Sequence, residues 1–160
     1  MSMVTVKDLK QFVMLGYLSD DMLKTLIPIT ETLLFDENEI IFRQGEKAGR
    51  LYLLKKGKVL LEQRITDTLT VSLSAVKPGF SFGWSAMLED GYYATDAVCA
   101  ESCEVLSFRE TRIKQLMEEN HTMGFIISQR LLYVIKKRFD VRTRQFVKTI
   151  KLHPDISKLL

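Results

Sequence analysis

The sequence predicts a mainly β fold with flanking helices: a helical lead, an all-β middle and two closing helices. Three observations carry this. Across residues 32–108, short runs rich in β-branched and aromatic residues alternate with turn signals. Before that zone, residues 5–27 place apolar side chains at helical spacing. After it, Phe125, Leu132, Phe139 and Phe146 recur at heptad intervals. A chain of 160 residues is read as one domain spanning 1–160.

In the lead, Leu9, Phe12, Val13, Leu23, Leu26 and Ile27 form the apolar set, and the Gly16-Tyr17-Leu18-Ser19 step splits it. Ser19 is the expected N-cap of the second helix, with Asp20 and Asp21 in its first turn. The middle reads as strands ETLLF, IIFRQ, LYLLK, VLLEQRI, LTVSLSAV, SFGW, YYATDAVCA and CEVLSF. Gly45, Gly49, Gly57, Pro78-Gly79 and Asp90-Gly91 mark turns between them. Turns about every 8–12 residues suggest a sandwich or barrel. The closing helices are expected over about 110–151. The first opens at Glu110 or Thr111 and ends at Asn120 or His121; Pro154 stops anything beyond the second.

The long last helix carries two stripes. Phe125, Leu132, Phe139 and Phe146 form one, with Ser128, Ile135, Arg142 and Thr149 as mixed companions. Ile127, Leu131, Val134 and Val141 form the other. One stripe can pack on the β zone while the first, with Ile135, pairs with a second copy; a single wide face on its own domain is the simpler alternative. The expected assembly is a homodimer through this helix. The same stretch is basic, from Arg130 to Lys151 against the lone acid Asp140. We read it as a solvated face whose late cations suit a helix C-terminus. Too little chain follows for a helix-turn-helix, so no DNA-binding domain is evident.

Other features exclude functions. A net charge of +3 is too small to argue for nucleic acid. Cys99 and Cys103 fit small core residues of a reduced, cytoplasmic chain. His121 and His153 lack partners at ligand spacing and read as caps or surface residues, so no metal site is expected. The methionines are dispersed. No nucleophile elbow, phosphate-binding P-loop or HExxH is present, so no catalytic residues are assigned. No apolar run is long enough for a membrane span, and no signal peptide is evident.

Five ordered elements then stand out: Gln44-Gly45, Leu51-Tyr52-Leu53, Gly57-Lys58-Val59, Pro78-Gly79 and Phe82-Gly83. In that order the chain resembles the cyclic nucleotide-binding domain of the Crp/Fnr type, here without a helix-turn-helix domain. The resemblance implies a β-roll (a double-stranded β-helix or jelly roll) over about 32–108 and a phosphate-binding cassette just after Gly83. It places the ligand site at Phe82, Gly83, Trp84, Ser85, Ala86, Ala94 and Thr95. In nucleotide-binding members an acid follows the cassette glycine and an arginine lies some ten residues on. Here Trp84 and Ala94 stand in those slots.

Between Trp84 and Arg109 there is no Lys or Arg, whereas Glu89, Asp90, Asp96, Glu101 and Glu104 all fall there. A cyclic phosphate would meet local negative charge with only backbone N–H groups, Ser81, Ser85 and Thr95 as donors. Loss of the arginine alone costs roughly two decades of affinity. Ordinary cAMP or cGMP binding is therefore not expected, and no cofactor is assigned. Trp84, the lone tryptophan, is left three roles. It fills the nucleotide's space or packs as core; it lines a pocket for an apolar ligand guided by Ser85 and Thr95; or it anchors a partner. The expected function is a non-enzymatic sensor or regulatory module for an unknown small molecule or protein partner. A transcription regulator, a cyclic nucleotide-binding regulator and a ligand-free scaffold are its rivals.

Overall fold

The computed structural model describes residues 3–159. The β zone folds as two four-stranded antiparallel sheets. One has the order β1 (Thr30–Phe35), β8 (Cys103–Arg109), β3 (Arg50–Lys56) and β6 (Ser81–Phe82). The other runs β2 (Ile40–Phe42), β7 (Asp96–Cys99), β4 (Val59–Arg64) and β5 (Thr70–Val76). The helices are α1 (Val6–Lys10), α2 (Asp20–Leu26), α3 (Glu110–Glu119), the 31-residue α4 (His121–Lys151) and α5 (Pro154–Ser157). This is the β-roll with flanking helices that the sequence implies.

The sheet of β1, β8, β3 and β6 lies between two apolar layers, which explains the uninterrupted run LYLLK. Successive side chains of a strand face opposite ways. Leu51 and Leu53 of β3 join Leu106 and Phe108 of β8 under the helices, against Leu9, Leu23 and Ile127. Tyr52 and Leu54 join Val105 between the sheets, against Val59, Leu61 and Ala97. Cys99 and Cys103 are buried free thiols in that second layer, and burial pushes the Cys99 thiol up to about 12.

Local chemistry sets the helix ends. Thr5 and Asp8 form a reciprocal capping box at α1. The Ser19 hydroxyl accepts from the Met22 N–H at 3.2 Å, the N-cap anticipated for α2. Asn120 separates α3 from α4, its Oδ1 accepting from the Met123 N–H at 3.1 Å.

Some elements differ from expectation. The YYATDAVCA run yields a strand only over Asp96–Cys99, because the Tyr93 ring turns inward and stacks on Phe42 at 3.8 Å. Pro154 does not stop the chain's helicity: it opens α5, where its missing N–H costs nothing, and His153 Nδ1 caps the turn. The basic residues of α4 are not uniformly solvated. Arg130 donates twice to the Val13 carbonyl at 3.2 and 3.1 Å, and its guanidinium lies 4.2 Å from the Tyr17 ring centre.

Lys55 links α1 to the sheet, 2.9 Å from Glu104 and 4.0 Å from Asp8. Its hydrogen bond holds the Glu104 carboxyl below the usual carboxylate range. A depressed folded-state pKa adds stability above the unfolded value near 4.5 and loses it as pH falls through the depressed one. Glu104→Gln should therefore lower the urea midpoint at neutral pH, and its deficit against the parent should shrink steadily on acidification below pH 4.5.

Candidate functional site

The site is built around the turn after β6. Gly83 takes the left-handed conformation, φ 75° and ψ 31°. A Cβ there would lie 2.9 Å from the Tyr52 ring and 3.2 Å from the Arg50 carbonyl oxygen, so space and backbone both demand glycine. Trp84–Met87 then form one 3₁₀ turn. The Ala86 N–H donates to the Gly83 carbonyl, so the turn consumes that donor itself. Phe82 and Ala86 are fully buried, Phe82 within a cluster with Tyr52, Phe42 and Tyr93.

A second segment, residues 88–95, closes against this turn. A Cβ on Gly91 would overlap the Ser85 carbonyl oxygen, so the two backbones touch directly. Tyr93 fixes the far side. Its hydroxyl donates to the Arg50 carbonyl at 2.8 Å and accepts from the Arg50 N–H at 3.1 Å. The Gln44-Gly45 loop is held to the same segment through Gly45 N–H to the Tyr93 carbonyl, and to the start of β7 through Gln44 N–H to Asp96 Oδ1.

Between these segments and α4 lies a cavity of about 260 Å³. Gly83, Trp84, Ser85, Ala94 and Thr95 form one wall, with Phe42, Leu61 and Tyr93 behind them. Ile135, Arg138, Phe139 and Arg142 of α4 form the other. Trp84 does not fill the space. Its indole Nε1 donates to the Ser81 hydroxyl at 2.9 Å, and its ring packs toward the helical core. Nor is its π face free for a stacked ligand on the α4 side, where the Arg138 guanidinium sits 4.2 Å from the ring centre. A second, mostly apolar cavity of about 320 Å³ separates α4 from β5, and it too is bordered by Arg138 and Arg142.

Five of the residues expected at the site thus line the cavity, while Phe82 and Ala86 support it from the core. The cassette segment carries no cation of its own, but the cavity does contain positive charge. Two arginines arrive from α4, more than forty residues further along the chain. Arg138 is half-buried, and its pKa is lowered to about 10, first by desolvation and then by the charge of Arg142. A signal for it existed in the sequence. Ile127, Leu131 and Val134 face inward, and Arg138 falls next on the same face, a charge interrupting an apolar row before the exposed Val141.

The other stripe is exposed. Phe125, Leu132, Phe139 and Phe146 are between 59% and 65% accessible, whereas Ile127 and Val134 are buried. Ile135, expected with the outer stripe, is also exposed, and it shares with Phe139 of that stripe a place at the cavity edge. Among the described residues no helix is long and apolar enough to cross a membrane, and no cluster of three potential metal ligands occurs.

Comparison with known proteins agrees with this architecture. The profile of the cyclic nucleotide-binding domain family matches residues 32–120, more than half of the chain. The chain is 31% identical over 102 residues to the cyclic AMP receptor protein of Thermus thermophilus, covering 61% of this chain and 47% of that protein. It therefore spans about half the length of that relative. A Geobacter metallireducens structure assigned to the cyclic nucleotide-binding proteins superposes with a TM-score of 0.75 at 26% identity, over 86% of this chain and 99% of the other. A cyclic nucleotide-binding domain from Methylobacillus flagellatus gives 0.81 at 16% identity, over 90% and 83%, a likeness of fold.

The double constraint on Gly83 has a measurable consequence. Gly83→Ala should destabilise the domain by about 1–3 kcal/mol in chemical denaturation. It should also shift the emission of Trp84, its neighbour in sequence.

Proposed function

The chain belongs to the cyclic nucleotide-binding domain family, and on that premise we propose that it is a non-catalytic sensor module. A small molecule enters the cavity between the cassette turn and α4, and its occupancy biases the position of α4. The observation that carries this reading is the composition of the cavity walls. The roll supplies one wall and α4 the other. An occupant must touch both, so its binding energy differs between positions of the helix, which is what a ligand-driven shift requires.

The occupant is not a cyclic nucleotide held in the family's usual way. Trp84 and Ala94 offer neither a carboxylate for a ribose hydroxyl nor a guanidinium for a cyclic phosphate at those slots. The resemblance to the Thermus thermophilus cyclic AMP receptor protein favours the rival reading, a cyclic AMP-responsive regulator. Calorimetry separates the two: we expect no heat of binding for cAMP or cGMP at micromolar concentrations, and a micromolar cAMP isotherm would establish the rival.

The output runs through a homodimer. The outer stripe of α4 repeats at seven-residue intervals from Phe125 to Phe146 and is exposed, which suits a second copy of the same helix. At 31 residues, α4 is about 46 Å long, and it buries residues only in its first half, at Met123, Gly124, Ile127 and Val134. Sedimentation velocity should show a dimer. Leu132→Asp, at an exposed position, should convert it to monomer without loss of secondary structure.

A further inference from the structure

Arg138 and Arg142 are cations without anions. Among the described residues neither guanidinium has a carboxylate within salt-bridge distance. The only acid on α4, Asp140, is engaged by Lys136 at 2.6 and 2.8 Å. From the roll, Asp96 turns its Oδ1 to the Gln44 N–H, and Glu46 its Oε2 to the Arg43 N–H. Arg138 makes a single long hydrogen bond, Nη2 to the Ser81 carbonyl at 3.4 Å. A guanidinium carries five N–H donors, so most of its donors find no protein acceptor.

Such an arrangement is costly. A charge drawn out of water needs a partner, and two like charges side by side add to the penalty. The depressed Arg138 pKa, caused by desolvation and by Arg142, reports that cost. The Trp84 ring under the guanidinium offsets part of it. Across the cavity stand Ser85 and Thr95, and among the described residues no side chain or backbone group hydrogen-bonds to their hydroxyls. The remaining surface is apolar: Phe42, Leu61, Tyr93 and Ile135.

We propose that the cavity is an anion site whose charge complement is carried by α4. Arg138 and Arg142 hold the carboxylate or phosphate head of a small molecule, and its apolar body rests on Phe42, Leu61, Tyr93 and Ile135. The proposal builds on the reading that the cavity takes a small molecule and adds its chemical class. A cationic ligand is excluded by the two arginines. A neutral one leaves the paired positive charge uncompensated. An anion relieves it and makes charge-assisted, bidentate contacts available only to arginine. A volume of about 260 Å³ suits a compact metabolite.

The test uses benzoate, phenyl phosphate and benzyl alcohol, which share one ring and differ in the head. Each is titrated at constant ionic strength into the full chain and followed by Trp84 emission and calorimetry. We expect saturable binding of at least one anion, with the comparison of benzoate and phenyl phosphate distinguishing the head, and binding of benzyl alcohol at least tenfold weaker. Arg142→Gln, at an exposed position, should weaken the anions about tenfold and leave benzyl alcohol unchanged. Arg138→Lys, which keeps the charge but not the fork, should weaken them less than Arg138→Gln. Equal affinity for all three probes, or an Arg142→Gln variant with unaltered anion affinity, overturns the anion site and leaves a small-molecule cavity standing. No saturable response to any probe overturns both readings.

Discussion

Four aromatic rings set the geometry on which the site depends. Phe42 of one sheet, Tyr52 and Phe82 of the other, and Tyr93 from the loop between them pack with ring centres 3.8 to 6.0 Å apart. Each does more than fill volume. Tyr52, with the Arg50 carbonyl beside it, presses against the backbone at residue 83 so closely that only glycine fits, and Phe42 lies in contact at the same point. Tyr93, drawn inward to stack on Phe42, ends the strand reading early and swings Ala94 and Thr95 to the cavity rim. Its hydroxyl, clamped to both backbone groups of Arg50, prevents the loop from lifting away. Aromatic pairs of this kind contribute about 0.5–1.5 kcal/mol each beyond their buried area.

The long helix meets this frame through cations. Arg130 ties it to Val13 and Tyr17, and Arg138 ties it to Trp84 and Ser81. Apolar burial along α4 ends at Val134, so beyond that point its attachment to the roll rests largely on Arg138. An arginine–aromatic stack is worth only about 0.5–2 kcal/mol. The distal part of α4 is therefore held by contacts comparable in strength to those a small ligand can make.

How much of this was legible in the sequence follows from distance along the chain. The strands of the roll were legible because turn residues and β-branched runs are local signals. Strand ends were less so, since Tyr93 leaves the sheet for a partner fifty residues away. The cassette turn was legible as a linear motif. Arg138 and Arg142 were not, because on a helix rich in Lys and Arg they look like solvated charge. Only the placement of Arg138 in the row of Ile127, Leu131 and Val134 marked it as inward-facing. A heptad argument places Ile135 and Phe139 on the outer stripe, and it carries no sign that both also reach the cavity edge.

The contact between Gly91 and the Ser85 carbonyl sets how the cavity can adapt. Two backbones already touching have no side chain between them that could shorten, rotate or be exchanged. The separation between cassette and loop is thus set by atomic radii alone. On the opposite side, α4 has open space both toward the cassette and toward β5. The cavity has the build of a caliper with one fixed jaw: for the proposed occupant, a difference in size would fall on the helix and be carried along it to the far end.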